Sequence, residues 1–445
     1  MEMSVNDFLQ ALSEIGLTPT EIDLLSREVE FTQRGGGKID VGSFLAVLFR
    51  ESISCAPSFN DLAVKLDSEA DIFVSKQAIA QRVDISCLNL LKAVLAKAIL
   101  GKLAQNKKQI YHSCSTFKRI LVQDSTILRL PQRLFEKFSG VKNAHKTVCN
   151  ARIQAVYDLL AEEFTYFSID TYSKNDIKAA PDLEILKGDF TLRDRGYISY
   201  DEIERHLKIG AHTIYRHKQG YNYLHPDTEE EIDLLETLQN NGHIDMEVLM
   251  NNDAKTRIRL VAAPVSEEIA NIRRMKLKKE SHTKNPSAKL LQLMSWSIFI
   301  TTVLDTVISF KKIFAMYELR WRIETIFKSW KSCLNFSKLH NVSEIQLRVI
   351  ITARLTAIAI IHRFIYAPAS QRIFQYYGRR LSLIKLTGYL TKNKNKIAEI
   401  ISILLKTTGT QPVLNSLARY CTYDKRKRLN FVEKMAQAFE SWSLA

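Results

Sequence analysis

A chain of 445 residues with 46% hydrophobic and 25% charged content can bury sizeable cores and divides into about two to four domains. That composition excludes a low-complexity or fibrous chain. The 63 Lys and Arg residues against 48 Asp and Glu leave a net charge of +15, which favours a polyanionic partner, nucleic acid first among them. The six cysteines (Cys55, Cys87, Cys114, Cys149, Cys333, Cys421) form no CxxC pair, so neither a zinc cluster nor a disulfide framework is expected. A reducing cytoplasm fits that usage, and Glu2, Asp7 and Glu14 interrupt any export signal at the start. The apolar runs 290–310 and 346–366 carry Gln292 and Asp305, and Arg348, Arg354, His362 and Arg363. Both read as protein core, and no membrane partner is expected.

Residues 1 to about 110 read as helical, with apolar side chains three and four apart in Phe8, Leu9, Leu12 and Ile15 and again from Leu88 to Ile99. Gly35-Gly36-Gly37 lacks the Lys-Ser/Thr of a phosphate loop and reads as a turn. Phe59 to Leu66 makes one amphipathic stretch. Ser75 caps a second that turns Ile79 and Val83 inward and Lys76, Gln77, Gln81 and Arg82 outward. This is either a DNA-reading helix-turn-helix or an ordinary helical hairpin, and the gap from Asp67 to Val74 is long for the former.

From about residue 117 the pattern turns to strands. Ile120-Leu121-Val122 runs into Gln123-Asp124-Ser125-Thr126, and Ala151–Leu160 and Phe164–Tyr172 form a hairpin-like pair. A helix is expected over Asp182–Leu186, a strand at Phe190–Leu192 delivers Asp194, a helix covers Tyr200–Leu207, and His212–Tyr215 is a further strand. The order of three strands, helix, strand, helix, strand is that of a ribonuclease-H-like sheet, though other mixed α/β folds share it. Residues 219–305 break the alternation and read as an insertion, with ten Lys and Arg against three acidic residues between Lys255 and Lys289. That stretch is either a DNA-backbone track or a solvated charged surface. The chain is mostly helical from Lys311 onward.

Read as one helix, residues 317–331 place Tyr317, Arg320, Glu324 and Lys331 within about a 60° arc. Ile323, Phe327, Trp330 and Leu334 form an apolar stripe that docks the helix. A salt-bridged surface helix would show the same pairing of Arg320 with Glu324. The combination with Val122-Gln123-Asp124-Ser125-Thr126 and Leu192-Arg193-Asp194-Arg195-Gly196-Tyr197 resembles the insertion-sequence transposases of the IS-four family. Their helix signature Y-x2-R-x3-E-x6-K is met here at every spacing, and the resemblance extends through Trp296 to cover roughly residues 117 to 365.

The resemblance implies a DNA transposase in which Asp124, Asp194 and Glu324 hold two divalent ions, Mg²⁺ or alternatively Mn²⁺. It further implies that Tyr317, Arg320 and Lys331 position phosphates. Trp296 would stack on a flipped base so that a strand hairpin forms, with core packing as its competing account. Arg216 and Lys218, at the end of the last sheet strand, are further candidate phosphate contacts, with His217 between them. His145, His212, His217 and His340 are otherwise assigned to packing or DNA contact. Lys425-Arg426-Lys427-Arg428 is a weak basic patch. The expected partners are double-stranded DNA, as terminal inverted repeats and target, and a second copy of the chain in the synaptic complex.

The fold expected is an α/β, ribonuclease-H-like mixed-sheet core with an insertion subdomain and all-α flanks. Its expected parts are a DNA-binding domain over 1–112, core over 113–218, insertion over 219–305, core again over 306–345, and helical region over 346–445. The rival readings are a transposase-derived protein that only binds DNA and a nuclease or resolvase on the same fold.

Overall fold

The computed structural model describes residues 5–33, 37–53, 56–100, 117–143, 146–280, 285–304, 308–336, 338–339, 341–406, 408–424 and 434. Gly35 and Gly36 of the glycine run, Cys55, Cys114, His145, Asp305, His340 and the basic run 425–428 lie outside the described residues. Cys87, Cys149, Cys333 and Cys421 are free thiols.

Six helices open the chain: α1 (Val5–Glu14), α2 (Pro19–Glu28), α3 (Val41–Ser52), α4 (Phe59–Ala70), α5 (Lys76–Arg82) and α6 (Ile85–Leu100). Their starts follow from capping chemistry. Thr18, Asp40, Ser58 and Ser75 each accept a hydrogen bond from a backbone N–H in the first turn of α2, α3, α4 and α5. The α4–α5 pair matches the expected hairpin, with Ile79 and Val83 buried and Lys76, Gln77 and Gln81 exposed. Arg82 does not project freely, because its guanidinium lies over the Phe31 ring at 4.2 Å.

Strands β1 (Arg119–Arg129), β2 (Ser139–Asn143), β3 (Lys146–Asp158) and β4 (Glu163–Thr171) come next. They are followed by α7 (Asp176–Ala179), β5 (Asp189–Arg193), α8 (Tyr200–Ile209) and β6 (His212–Arg216). The helix expected over Asp182–Leu186 is displaced: α7 and a 3-10 turn at Ala180–Asp182 precede it, and Leu183 and Ile185 are buried from irregular backbone. Pro181 in that turn supplies no N–H for a longer helix. Strand β2 was not expected.

Residues 219–305 form β7 (Tyr223–Leu224), α9 (Leu234–Asn241), β8 (Ile244–Met250), β9 (Arg257–Pro264), α10 (Glu267–Glu280), α11 (Ala288–Leu293) and β10 (Trp296–Thr301). The rest is helical: α12 (Phe310–Glu318), α13 (Trp321–Cys333), α14 (Glu344–Ile361), α15 (Ala367–Tyr377), α16 (Leu383–Lys392), α17 (Ile397–Leu405) and α18 (Gln411–Tyr420).

The strands form a mixed sheet in which β3 and β5 flank β1, β5 is followed by β6, and β10, β9, β8 and β7 continue beyond it. The antiparallel β3–β4 pair and the parallel β1–β5 and β5–β6 pairs give the order β4-β3-β1-β5-β6 of a ribonuclease-H-like core.

The chain resolves into two compact units, each discontinuous in sequence. One comprises residues 1–112, 124–175 and 322–432. Its core is built on α14, which packs against α3, α6 and β4. The helical stretch Glu344–Tyr377 is long and apolar enough to cross a bilayer, yet 94% of its most apolar window is buried inside the protein. Pro368, in the first turn of α15, lacks an N–H and crowds the carbonyl four residues back; the π turn His362–Tyr366 absorbs that mismatch.

The other unit comprises 113–123, 176–321 and 433–445. Here the parallel register of β1 on β5 is pinned by a fork of two hydrogen bonds from Arg119 to Asp189, Nε to Oδ1 at 3.0 Å and Nη2 to Oδ2 at 2.5 Å. Gly210, at φ 74°, ends α8 in the left-handed conformation and turns the chain directly into β6.

Candidate active site

Register places the two aspartates. The β1–β5 ladder runs from Arg119↔Asp189 to Gln123↔Arg193, and Asp124 and Asp194 are the residues that follow the last paired position on each strand. The residues just before them are polar and fully buried. Gln123 donates from Nε2 to the Ala179 carbonyl at 3.2 Å. Arg193 donates from Nη1 to Glu202 at 2.6 Å and to the Tyr215 hydroxyl at 3.3 Å, and from Nη2 to the Ala180 carbonyl at 3.4 Å. Beneath them, His206 Nδ1 faces the Glu202 carbonyl at 2.6 Å, an acceptor only, so the proton sits on Nδ1 and Nε2 accepts from the Thr191 hydroxyl at 2.8 Å. Sequence reasoning missed Gln123, Arg193, Glu202 and His206. The legible signal was a polar residue interrupting each apolar strand one position before the aspartate.

In the first unit, Asp124 and Glu324 line one open cavity of about 500 Å³ together with Ser125, Thr126, Lys328 and Lys331. Asp124 Oδ1 accepts from the Ser125 N–H at 2.7 Å, and Arg152 of β3 donates to Ser125 Oγ at 3.0 Å. Glu324 is half-buried in the first turn of α13, where a carboxylate suits the positive end of the helix, and Lys331 is exposed near its last turn. The expected stripe is buried: Ile323, Phe327, Trp330 and Leu334 are each at most 6% exposed, and the Trp330 ring lies 5.6 Å from Phe164 of β4. Lys328 and Arg152 were not singled out from sequence. Lys328 is one turn beyond Glu324 and was available to the same helical reasoning.

The single helix expected over 317–331 is in fact two. Helix α12 ends at Glu318 and α13 begins at Trp321. Across the junction the Leu319 and Arg320 N–H groups bond three residues back, to Met316 and Tyr317. No Gly or Pro marks the break, so nothing local announced it. Tyr317 and Arg320 precede the break, in the other unit, and Glu324 and Lys331 follow it.

In that second unit Tyr317 and Arg320 are nearly buried, at 8% and 7% exposure, and group with Asp194 and Arg216. The Tyr317 ring lies 4.7 Å from Phe299. Burial pushes the Tyr317 hydroxyl up to about 12, with Arg320 opposing the shift and Asp194 adding to it. Burial likewise lowers Arg216 below its ordinary value, Arg195 and Arg320 reinforcing the shift against Tyr317 and Asp194. Lys218 is half-exposed two residues further on. His217 packs in the interior, its Nδ1 2.7 Å from the Tyr223 hydroxyl, and His212 lies edge-on to Phe117.

Trp296 opens β10 opposite Pro264 and packs against the apolar core of this unit, whose members include Tyr215 and Leu260. Its indole Nε1 is buried without a hydrogen-bond partner.

The cavity of Asp124 and Glu324 offers two carboxylates and three hydroxyls, those of Ser125, Thr126 and Ser332, beside Lys328 and Lys331; its candidate metal ligands are all oxygens, which fits a hard divalent cation rather than a thiophilic one. Among the described residues no three His, Cys, Asp or Glu side chains gather into a closed metal cluster.

The ribonuclease-H-like sheet carries Asp124 within β1, where its pairing with the parallel β5 ends, and Asp194 directly after β5, with Glu324 on the later helix α13. Residues 115–360 match the family described as "Transposase DDE domain", and the chain belongs to that family of DNA-transposing enzymes, whose chemistry uses divalent metal. Among curated proteins it is 24% identical over 432 residues to "Transposase for insertion sequence element IS231B" of Bacillus thuringiensis subsp. berliner, covering 90% of this chain and 89% of the other. It is 25% identical over 421 residues to the IS231D transposase of B. thuringiensis subsp. finitimus, covering 88% and 87%. It is 24% identical over 404 residues to the IS1151 transposase of Clostridium perfringens, covering 85% and 84%. Among solved structures, the cryo-EM piggyBac transposase synaptic complex with hairpin DNA aligns at a TM-score of 0.42 and 11% identity, over 96% of this chain and 86% of that one.

Proposed function

We propose that this chain cuts the terminal inverted repeats of an insertion-sequence element and joins the freed 3′ ends to target DNA, with Asp124, Asp194 and Glu324 as ligands of two Mg²⁺ or Mn²⁺ ions. The observation that carries the reading is the shared cavity of Asp124 and Glu324, with Lys328 and Lys331 on its wall and the hydroxyls of Ser125, Thr126 and Ser332 beside the carboxylates. The strand-end position of Asp194 supports its inclusion as the third ligand. When bound, the ions activate a water and offset the charge that gathers on the phosphoryl oxygens. In cleavage the water oxygen bonds to phosphorus as the bond to the 3′ oxygen breaks; in transfer that 3′ hydroxyl attacks a target phosphodiester in the same way.

Lys331, Arg320 and Arg216 hold phosphate oxygens as charge-assisted donors, Tyr317 donates through its hydroxyl, and Lys218 contacts the backbone at the rim. Trp296 presents a ring face to an unstacked base. Residues 1–112 serve as the DNA-binding domain and 219–305 as the insertion. Two chains pair in the synaptic complex because the element has two ends. The cytoplasm, where reduced thiols and DNA coexist, is the compartment proposed.

The test is incubation with Mg²⁺ and DNA carrying the repeats that flank its own gene. Asp124→Asn, Asp194→Asn and Glu324→Gln should each lower strand cleavage by roughly a thousandfold or more while leaving DNA binding within a few-fold of wild type. Cleavage unchanged in any of the three removes that residue from the site. Cuts without joined products identify a nuclease, and bound but uncut DNA identifies a binder.

A further inference from the structure

Most half-buried and buried arginines of the second unit face a carboxylate: Arg119 with Asp189, Arg193 with Glu202, Arg259 with Asp245 and Arg274 with Glu267. Arg216 and Arg273 depart from this, with no ion pair among the described residues. Arg273, on α10, donates from Nη1 to the Trp296 carbonyl at 3.0 Å and from Nη2 to Ser297 Oγ at 2.9 Å, both neutral acceptors.

Arg216 lies directly opposite Phe299 in the β6–β10 ladder, and side-chain alternation puts Ser297 and Phe299 on one face of β10. Opposite residues of an antiparallel pair share a face, so Arg216 and the Ser297-bound guanidinium of Arg273 stand on the same side of the sheet, next to Tyr317 on Phe299. The two cations feel each other: burial first, and Arg216 second, pull Arg273 down to about 10. Asp194 offsets Arg216 only in part and Arg216 is the one charge acting on Arg273, so the half-buried pair keeps a surplus positive charge that an anion relieves. The same helix carries Lys278 and Lys279 on its exposed surface, while Lys276, one turn from Arg273, pairs with Glu280.

We propose that Arg216 and Arg273 together clasp one backbone phosphate of DNA beside Trp296, which makes Arg273 a DNA-contact residue as well as the clamp on the Trp296 carbonyl. The planar forks of two guanidinium groups suit the tetrahedral oxygens of a phosphodiester better than a single point charge would. This rests on the transposase reading.

The experiment is equilibrium binding of a duplex bearing the flanking inverted repeat, across a series of salt concentrations, for wild type, Arg273→Gln, Arg273→Lys and the exposed, Glu247-paired control Arg257→Gln. Thermal unfolding of each protein is measured without DNA. Loss of one phosphate contact lowers the slope of log K against log salt by about 0.9 and weakens binding roughly threefold to tenfold near 0.15 M salt. That result is expected of R273Q, while R273K and R257Q keep the wild-type slope. The Tm of free R273Q should equal or exceed wild type, because Gln still donates to the Trp296 carbonyl and one surplus cation is gone. An R273Q slope equal to wild type overturns the phosphate subsite alone, as does an R273Q that melts well below wild type or fails to fold, which makes Arg273 a structural clamp only. Wild-type protein with no salt-dependent DNA binding overturns the transposase reading along with it.

Discussion

At the residue scale, the aspartates rest on buried polar neighbours whose protonation is set by burial. His206 is held neutral by burial first and by Arg193 second, its pKa pulled down to about 3, and burial brings His217 down to about 4 and His362 to about 3. An unfolded histidine titrates near its ordinary value of 6.5. Between these values the unfolded chain binds more protons than the folded one. The stability contributed by keeping each imidazole neutral is therefore complete above about 6.5 and is lost as pH falls toward 3 to 4. The Tm should fall steadily from pH 7 to pH 4.5, and His206→Gln should flatten part of that slope because Gln preserves both a donor and an acceptor without titrating. A Tm independent of pH over that range would show that these histidines titrate normally. None of this was legible beforehand, since a histidine's burial follows from which elements cover it, whereas its proximity in sequence to a motif invites a functional reading.

At the element scale, the helix of Glu324 is fixed at both ends by buried guanidinium groups. In its first turn, Arg322 pairs with Glu162 at 3.9 Å, hydrogen-bonds the Tyr366 hydroxyl and lies over the Tyr366 ring. Glu162 occupies a left-handed turn between β3 and β4, at φ 52°, where a non-glycine residue is held only because its surroundings over-determine it. Beyond the helix, Arg354 of α14 donates to the carbonyls of Leu334 and Phe336. Removing one partner of a buried pair strands the other, at a cost of about 3–5 kcal/mol. Arg322→Met should lower stability on that order in denaturant titration. The Glu162→Gln/Arg322→Met double variant should recover much of the loss, since no unpaired charge then remains. Additive losses in the double variant would show that the two side chains do not interact. The apolar stripe of α13 was readable from its spacing. The pinning arginines were not, because their partners lie 18 to 20 residues away for Arg354 and 160 away for Arg322.

At the scale of the whole molecule, the charge of +15 is a property of the sequence and should dominate encounter with DNA. If six to ten phosphates are neutralised, affinity for duplex should drop by roughly 10³ to 10⁵ between 50 and 200 mM salt. The complex with paired repeat ends should carry two chains by light scattering; a single chain on both ends would contradict the proposed assembly. Sequence by itself determined the strands that carry the chain into Asp124 and Asp194, the apolar stripe behind Glu324 and the class of chemistry, because period-two and period-3.6 patterns and motif spacings are local. It did not determine that 317–331 is two helices, nor that the chain divides into units each stitched from separate stretches. Helix breaks without Gly or Pro, buried ion pairs and the company of cations such as Arg216 and Arg273 depend on which distant residues arrive beside them, and only tertiary packing sets that.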